Sequence, residues 1–298
     1  MNRLTLIAAG CALVGVAFGQ RLEREAFEAQ NDPPAVVQWA QGHRPEFAKA
    51  GGARPVSLLL NHGGPVLVTT VTKAIFWGTS WPSDSSDKIS GINSFYIGVG
   101  GSAYAGTNTE FSGSNGQVTT AITHDGHVID GSSAPSGAPS TGVILGEVCK
   151  AIPAGSRRAN GFYAVYVDQG RGNAGYCAWH SAGHCGDSDQ TPFQFAFFFK
   201  LDGDGGCDPG DNSTGHSQGL AAIANVSGHE LSEAMTDPQL NAWYDRQGAE
   251  NSDKCAWTFG RPSLTFANGT HWKVQGNFSN AAYNAKTGYD HAGCIDGN

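Results

Sequence analysis

The sequence predicts an α+β fold, in which a mixed sheet packs on one long helix and disulfides cross-link the chain. Three observations predict it. Apolar, β-branched and aromatic runs at 66–77, 162–167 and 193–201 read as strands. A stretch rich in Ala, Leu and Ile from Gly219 to Met235 reads as a helix. It stops at Asp237-Pro238, because the residue before a proline is pushed out of the helical region. Finally, Cys149, Cys177, Cys185, Cys207, Cys255 and Cys294 form an even set once an N-terminal export segment is set aside, and such a set reads as disulfides.

The export segment comes first in the chain. Arg3 is a short positive region, Leu4 to Phe18 is apolar, and Ala17-Phe18-Gly19 offers small residues for cleavage before Gln20. The apolar run is too short to span a bilayer and is followed at once by the charged stretch Arg21 to Glu28. Residues 1–19 are therefore expected to be a signal peptide and the protein to be secreted, with no membrane partner. Residues 20–55 start with a helical pattern and become punctuated by Pro and Gly, so they read as an arm or linker. Residues 56–298 are expected to form a single globular domain.

Within that domain, the near-continuous apolarity of Val66 to Trp77 suggests a central strand buried on both faces. Asn93 to Val99 fits helix or strand equally. Residues 131–141 are a loop by composition, and the Gly- and Asn-rich tail from Trp257 holds only short strand patches. Disulfide pairing is open at this level. Cys177 and Cys185 are close enough to close a small loop, and Cys255 with Cys294 can pin the tail. Charge is sparse, at 15% of residues, and the formal net charge is -8. With no basic cluster, nucleic acid is excluded as a partner.

The chemistry sits on the late helix, in Ser227-Gly228-His229-Glu230-Leu231-Ser232-Glu233-Ala234-Met235-Thr236-Asp237-Pro238. With about 100° per residue, Glu233 falls about 40° and Glu230 about 100° from His229. All three polar groups therefore share one side of an otherwise apolar helix. Burying such a cluster is costly unless a cation neutralises it. The pattern is one residue away from H-E-x-x-H, in which side chains at i and i+4 bind zinc and the intervening Glu is the general base. Here Glu233 takes the place of the second His. Downstream, the turn-rich segment from Tyr244 to Cys255 carries Asp245, Glu250 and Asp253. The expected site is thus zinc held by His229, Glu233 and either Glu250 or Asp253, with Glu230 taking a proton from the attacking water.

The same residues resemble a known family. His229-Glu230-Leu231 with Glu233 and Thr236-Asp237-Pro238, Asn241-Ala242-Trp243-Tyr244, and Glu250 to Cys255 are similar to the Exordium, or phosphate-induced, proteins and their microbial relatives. The resemblance extends to His62-Gly63-Gly64-Pro65-Val66-Leu67, Phe76-Trp77-Gly78 and Cys177-Ala178-Trp179-His180-Ser181, and so covers roughly 60–257. It implies secretion and a shared fold. The plant members are growth-linked apoplastic proteins, and several bacterial relatives are described as metalloprotease-like. The expected fold is accordingly zincin-like. The expected function is a secreted, metal-dependent, peptidase-like hydrolase acting on a peptide or extracellular-matrix substrate. The alternative is a non-enzymatic extracellular or cell-wall protein in which the acidic cluster holds a structural metal or closes a hydrogen-bond network.

Other polar groupings are weaker. His180 and His184, shortly before Cys185, can supply a metal ligand or a substrate contact. His124-Asp125-Gly126-His127 reads as a turn between strands. Asp202, Asp204, Asp208 and Asp211 suit calcium by donor type, but Cys207 occupies the position where an EF-hand loop needs glycine. Glycosylation sequons stand at Asn212, Asn225, Asn268 and Asn277.

Overall fold

The computed structural model describes residues 35–43, 57–186 and 188–297. The signal-peptide segment lies outside them, as does most of the N-terminal arm. Six strands form the main sheet: β1 (Ala35–Trp39), β2 (Thr70–Trp77), β3 (Ile122–Asp130), β4 (Gly161–Gly170), β5 (Tyr176–Gly183) and β6 (Phe193–Lys200). Their order is β1-β5-β6-β4-β2-β3. β6, β4, β2 and β3 pair in parallel, whereas β5 pairs antiparallel with both β6 and β1. Three helices matter to the site: α1 (Lys88–Val99), α2 (Thr141–Ala151) and α3 (Gln218–Thr236). The fold is thus a mixed sheet with helices, as expected.

Several local expectations change. Ala35–Trp39, assigned to the arm, is instead the edge strand β1, held by β5. Asn93–Val99 belongs to α1, where Ile92, Phe95, Tyr96 and Val99 bury one face at i, i+3, i+4 and i+7 spacing. His124 to His127 is not a turn between strands but the middle of β3. Only Lys73 separates the β2 partners of His124 and His127, so β3 carries one extra residue there. Gly126 absorbs it with φ +68°, a conformation that disfavours other residues. The run at 66–77 becomes strand only from Thr70. The residues before it are held off the sheet by Asn115, which bonds both Val66 N and Val66 O at 2.9 Å, and by Leu67 N donating to Met235 O at 2.9 Å.

Every residue of α3 from Gly219 to Thr236 is buried. Ser217 caps its first turn by accepting from Leu220 N. A chain of hydroxyls locks α3 to the sheet and to α1: Tyr96 to Tyr166 at 2.9 Å, and Tyr166 to Ser227 at 2.7 Å. Gly183 lies against Leu145 of α2. That side of β5 therefore faces α2, and the alternate side, carrying His180, faces α3. All six paired cysteines are in disulfides: Cys149–Cys185, Cys177–Cys207 and Cys255–Cys294. Cys255–Cys294 is as expected. Cys177 and Cys185 do not bridge, because they lie near opposite ends of one extended strand, and a disulfide needs Cα atoms within about 7 Å. No helix among the described residues is long and apolar enough to cross a membrane.

A second acidic group sits at the end of the sheet. Glu147 of α2 is 3% exposed, and its Oε1 has no hydrogen-bond partner. Lys150 bonds Glu147 at 3.2 Å, Ser132 at 3.0 Å, and Asp130. Burial, followed by contact with Asp130, raises the Glu147 pKa to about 7, against which Lys150 only partly works. The native state therefore binds a proton that the unfolded state releases above its ordinary carboxylate pKa. Stability from this group is present below that value and is lost as pH rises towards 7. Glu147→Gln should flatten that decline and raise the melting temperature at pH 8 by roughly 2–4 °C, about 1 kcal/mol after solvent screening. Thermal melts of both proteins across pH 5–8 would test this. Parallel curves would assign the pH dependence elsewhere.

Candidate metal centre

Six ionisable side chains meet where α3, β5 and the segment after α3 come together. His229, Glu230 and Glu233 come from α3, His180 from β5, and Glu250 and Asp253 from the turn-rich segment. His180, His229, Glu230 and Glu233 are 0% exposed and Glu250 is 1% exposed. The Asp253 side chain is 13% exposed. The helical turn brings Glu233 beside His229, with Oε1 3.0 Å from His229 Nε2. Asp253 Oδ1 is 3.7 Å from the same nitrogen, and Asp253 N donates to Glu233 Oε1 at 2.9 Å. On the other side of Glu233, Oε2 is 3.5 Å from His180 Nε2, and Glu250 Oε1 is 3.6 Å from that nitrogen.

The two later carboxylates thus divide between the histidines, Asp253 to His229 and Glu250 to His180. Two sets of donors result, sharing Glu233. His180, Glu230 and Glu233 each bring one ligand atom within 4.8 Å of the other two, and His229, Glu233 and Asp253 do the same. Either set can hold a metal ion.

Charges in the cluster are strongly coupled. Burial pushes Glu230 up to about 8, although His229 pulls it back. Burial also acts against ionised Glu233, but His229 and His180 overcome it and hold Glu233 at about 2. Glu250 is raised by burial against the pull of His180. Burial lowers the two histidines, but their carboxylate neighbours raise both above the ordinary value.

The cluster is not self-sufficient in hydrogen bonds. His180 Nδ1 and Nε2, both oxygens of Glu230, Glu233 Oε2 and Glu250 Oε2 are buried without a partner. His229 Nε2 belongs with them, since its approach to Glu233 is not aligned as a hydrogen bond. Orphaned donors and acceptors at this density are costly, and a bound cation would relieve the acceptors. Geometry agrees. Neighbouring ligands of tetrahedral zinc, with bonds of 2.0–2.1 Å, stand about 3.4 Å apart. The 3.5 and 3.6 Å separations around His180 Nε2 are too long for good hydrogen bonds but close to that value.

Sequence reasoning missed Gln275, in the tail. Its Nε2 donates to Ser252 O at 2.9 Å, and its Oε1 accepts from Trp257 N at 3.3 Å and Gln38 Nε2 at 3.1 Å. Those backbone partners fix which end of the amide is nitrogen. Nε2 also lies 3.0 Å from His229 Nδ1, which must therefore accept, leaving the ring proton on Nε2. This contact opposes full protonation of His229. It also leaves a proton, instead of a lone pair, on Nε2 beside Glu233 Oε1. Nothing in the local pattern around Gln275 signals the role.

The remaining candidates lie apart from the cluster. His184 Nδ1 contacts Cys185 O at 3.1 Å. His124 and His127 both meet Asn93 Oδ1, at 2.9 and 3.1 Å. The calcium candidates do not converge. Asp202 pairs with Lys88 at 2.9 Å, Asp204 pairs with Arg171 at 2.7 Å, and Asp208 and Asp211 each bond the loop that follows them. Asn225 and Asn277 are fully buried, which removes two of the four sequons. Compared with protein-family models, curated proteins and solved structures, the chain matches none.

Proposed function

We propose that this chain is a secreted, zinc-dependent, peptidase-like hydrolase whose metal is held by His180 and Glu233, with Glu250 beside His180. The observation that carries this reading is the convergence of unpaired His180 Nε2 and Glu233 Oε2 with the unpaired oxygens of Glu230, with Glu250 Oε1 3.6 Å from the same His180 nitrogen. Nitrogen with carboxylate oxygen suits zinc. Zinc so placed would supply Lewis-acid polarisation of a carbonyl. Glu230 then takes a proton from water, in keeping with the H-E-x-x-E pattern and the Exordium-like resemblance. Asp253 N–H bonds Glu233 Oε1 and His229 Nε2 stands 3.0 Å from the same oxygen, which leaves Oε2 towards His180 and makes His229 an orienting group. Three disulfides accord with an extracellular location.

A second reading, a non-enzymatic extracellular protein with a structural metal, is favoured by one observation: the His180, Glu230 and Glu233 side chains are closed off from solvent. Metal analysis of unchelated protein and a peptide-library assay separate the two. Under the hydrolase reading, Glu230→Gln keeps the metal and the melting temperature but lowers hydrolysis by about 10²–10⁴-fold. Wild-type protein that binds zinc and cleaves no peptide selects the structural reading. Absence of metal at saturating zinc overturns both.

A further inference from the structure

Three ionisable side chains meet where the end of β3 faces α2. Asp130 is the last residue of β3, an edge strand held only by β2. Glu147 and Lys150 lie one turn apart on α2. Lys150 Nζ bonds Asp130 Oδ2 and lies 3.2 Å from Glu147 Oε2. It also donates to Ser132 Oγ at 3.0 Å, which in turn accepts from Trp77 Nε1 at 3.0 Å. The Trp77 ring centroid is 5.8 Å from the same nitrogen. The other Asp130 oxygen, Oδ1, accepts from Ser132 N at 2.8 Å.

A surface ion pair does not require this arrangement. The Lys150 side chain is 55% exposed, and a pair of that kind contributes little to stability. The Glu147 side chain, by contrast, is 1% exposed and its Oε1 has no hydrogen-bond partner. A second carboxyl buried against the pair is costly as a mere neighbour, but it has a use as an acid. Burial, followed by contact with Asp130, raises its pKa to about 7, so a proton is available on it near neutral pH. An amine, a carboxyl and a protonated acid in mutual contact are the components of an amide-forming site. Groups held together in this way reach effective molarities of about 10⁵–10⁸ M.

We propose that Asp130 and Lys150 are joined by an isopeptide bond, formed within the chain with Glu147 as the proton carrier. Lys150 Nζ attacks Asp130 Cγ. The Nζ–Cγ bond forms, the Cγ–Oδ2 bond breaks, and Oδ2 leaves as water. Ser132 N–H steadies the charge that gathers on Oδ1 in between. One proton passes from the ammonium to Oδ2 directly and a second by way of Glu147, which ends as it began. An ammonium and a carboxylate thus become an amide and water, with no oxidant, reductant or other reactant. The bond ties the end of an edge strand to α2 and closes the Gly-, Ser- and Pro-rich loop 131–140, next to the Cys149–Cys185 bridge. It is independent of the metal centre. The gain in melting temperature expected of Glu147→Gln belongs to the unbonded pair, so those melts take Lys150→Arg as the parent.

The test is mass spectrometry of the whole protein, reduced and denatured, before and after digestion with a Glu-specific protease and trypsin. The wild type should weigh one water less than its open chain. Peptide 111–147 should be recovered joined to 148–157, because trypsin does not cut at a bonded Lys150. Both signs should vanish in Lys150→Arg and in Asp130→Ala. In Glu147→Gln the joined peptide should fall by about tenfold or more, the loss of a positioned acid. A wild type of full mass overturns the bond. So does a water loss that persists in Lys150→Arg without joined peptides, which marks a succinimide at Asp130-Gly131 instead. Undiminished joining in Glu147→Gln overturns the role of Glu147. The wild-type measurement decides the bond whether or not a variant folds.

Discussion

His180→Ala is expected to abolish stoichiometric zinc binding and to destabilise the protein by about 3–5 kcal/mol, because Glu233 and Glu250 then lose the buried cationic partner they face. His229→Gln should behave differently. Its loss weakens the orientation of Glu233, so zinc affinity should fall by about 10–100-fold while saturating zinc still fills one site. Metal analysis after dialysis against graded zinc, together with denaturant melts, reads both effects. The order of the two variants is the point of the experiment. Judged from the H-E-x-x-E helix alone, His229 would be the essential ligand and His180 an accessory. Judged from the tautomer that Gln275 imposes, the ranking is reversed. If His229→Gln loses zinc completely and His180→Ala retains it, the centre is the His229, Glu233 and Asp253 set instead.

The second large effect concerns the Cys255–Cys294 bridge. It closes a sequence separation of 39 residues, worth about 4 kcal/mol in the chain-entropy account. Cys255 also ends the short 3-10 turn Asp253–Cys255, which starts three residues after Glu250. The double variant Cys255→Ala/Cys294→Ala should therefore lose stability and at least tenfold in zinc affinity together. Cys177→Ala/Cys207→Ala removes a separation of 30 residues, at nearly the same expected cost in stability. It tethers β5 to the loop at Gly206–Cys207 rather than holding a carboxylate, so zinc affinity should change less. Equal zinc losses in the two double variants would show that the bridge at Cys255 does not position Glu250.

Local features were legible in the sequence because their causes are local. The 3.6-residue turn alone puts Glu233 beside His229, and the observed 3.0 Å approach follows from it. Asp237-Pro238 ends α3, whose last helical residue is Thr236. The even cysteine set leads to three disulfides, and Cys255–Cys294 pairs as anticipated. Where alternatives stayed open, the signal itself was ambiguous. Short apolar runs such as Asn93–Val99 fit either period until their partners are known. A strand containing a bulge breaks its alternation just where Asp125 and Gly126 suggest a turn.

By itself, then, the sequence determined the fold class, the helix carrying three of the ionisable groups, and the acidic supply downstream. Only tertiary structure decided how those groups are shared out. His180 reaches Glu233 because β5 pairs with β6 and turns alternate residues towards α3. Glu250 and Asp253 separate onto different histidines through the course of one short turn, and Gln275 comes from a tail whose composition carries no such signal. The physical reason is range. Helix spacing and proline stops act over a few residues, whereas a buried centre is assembled from strand register, disulfide geometry and the hydrogen-bond needs of groups that meet only in the folded chain.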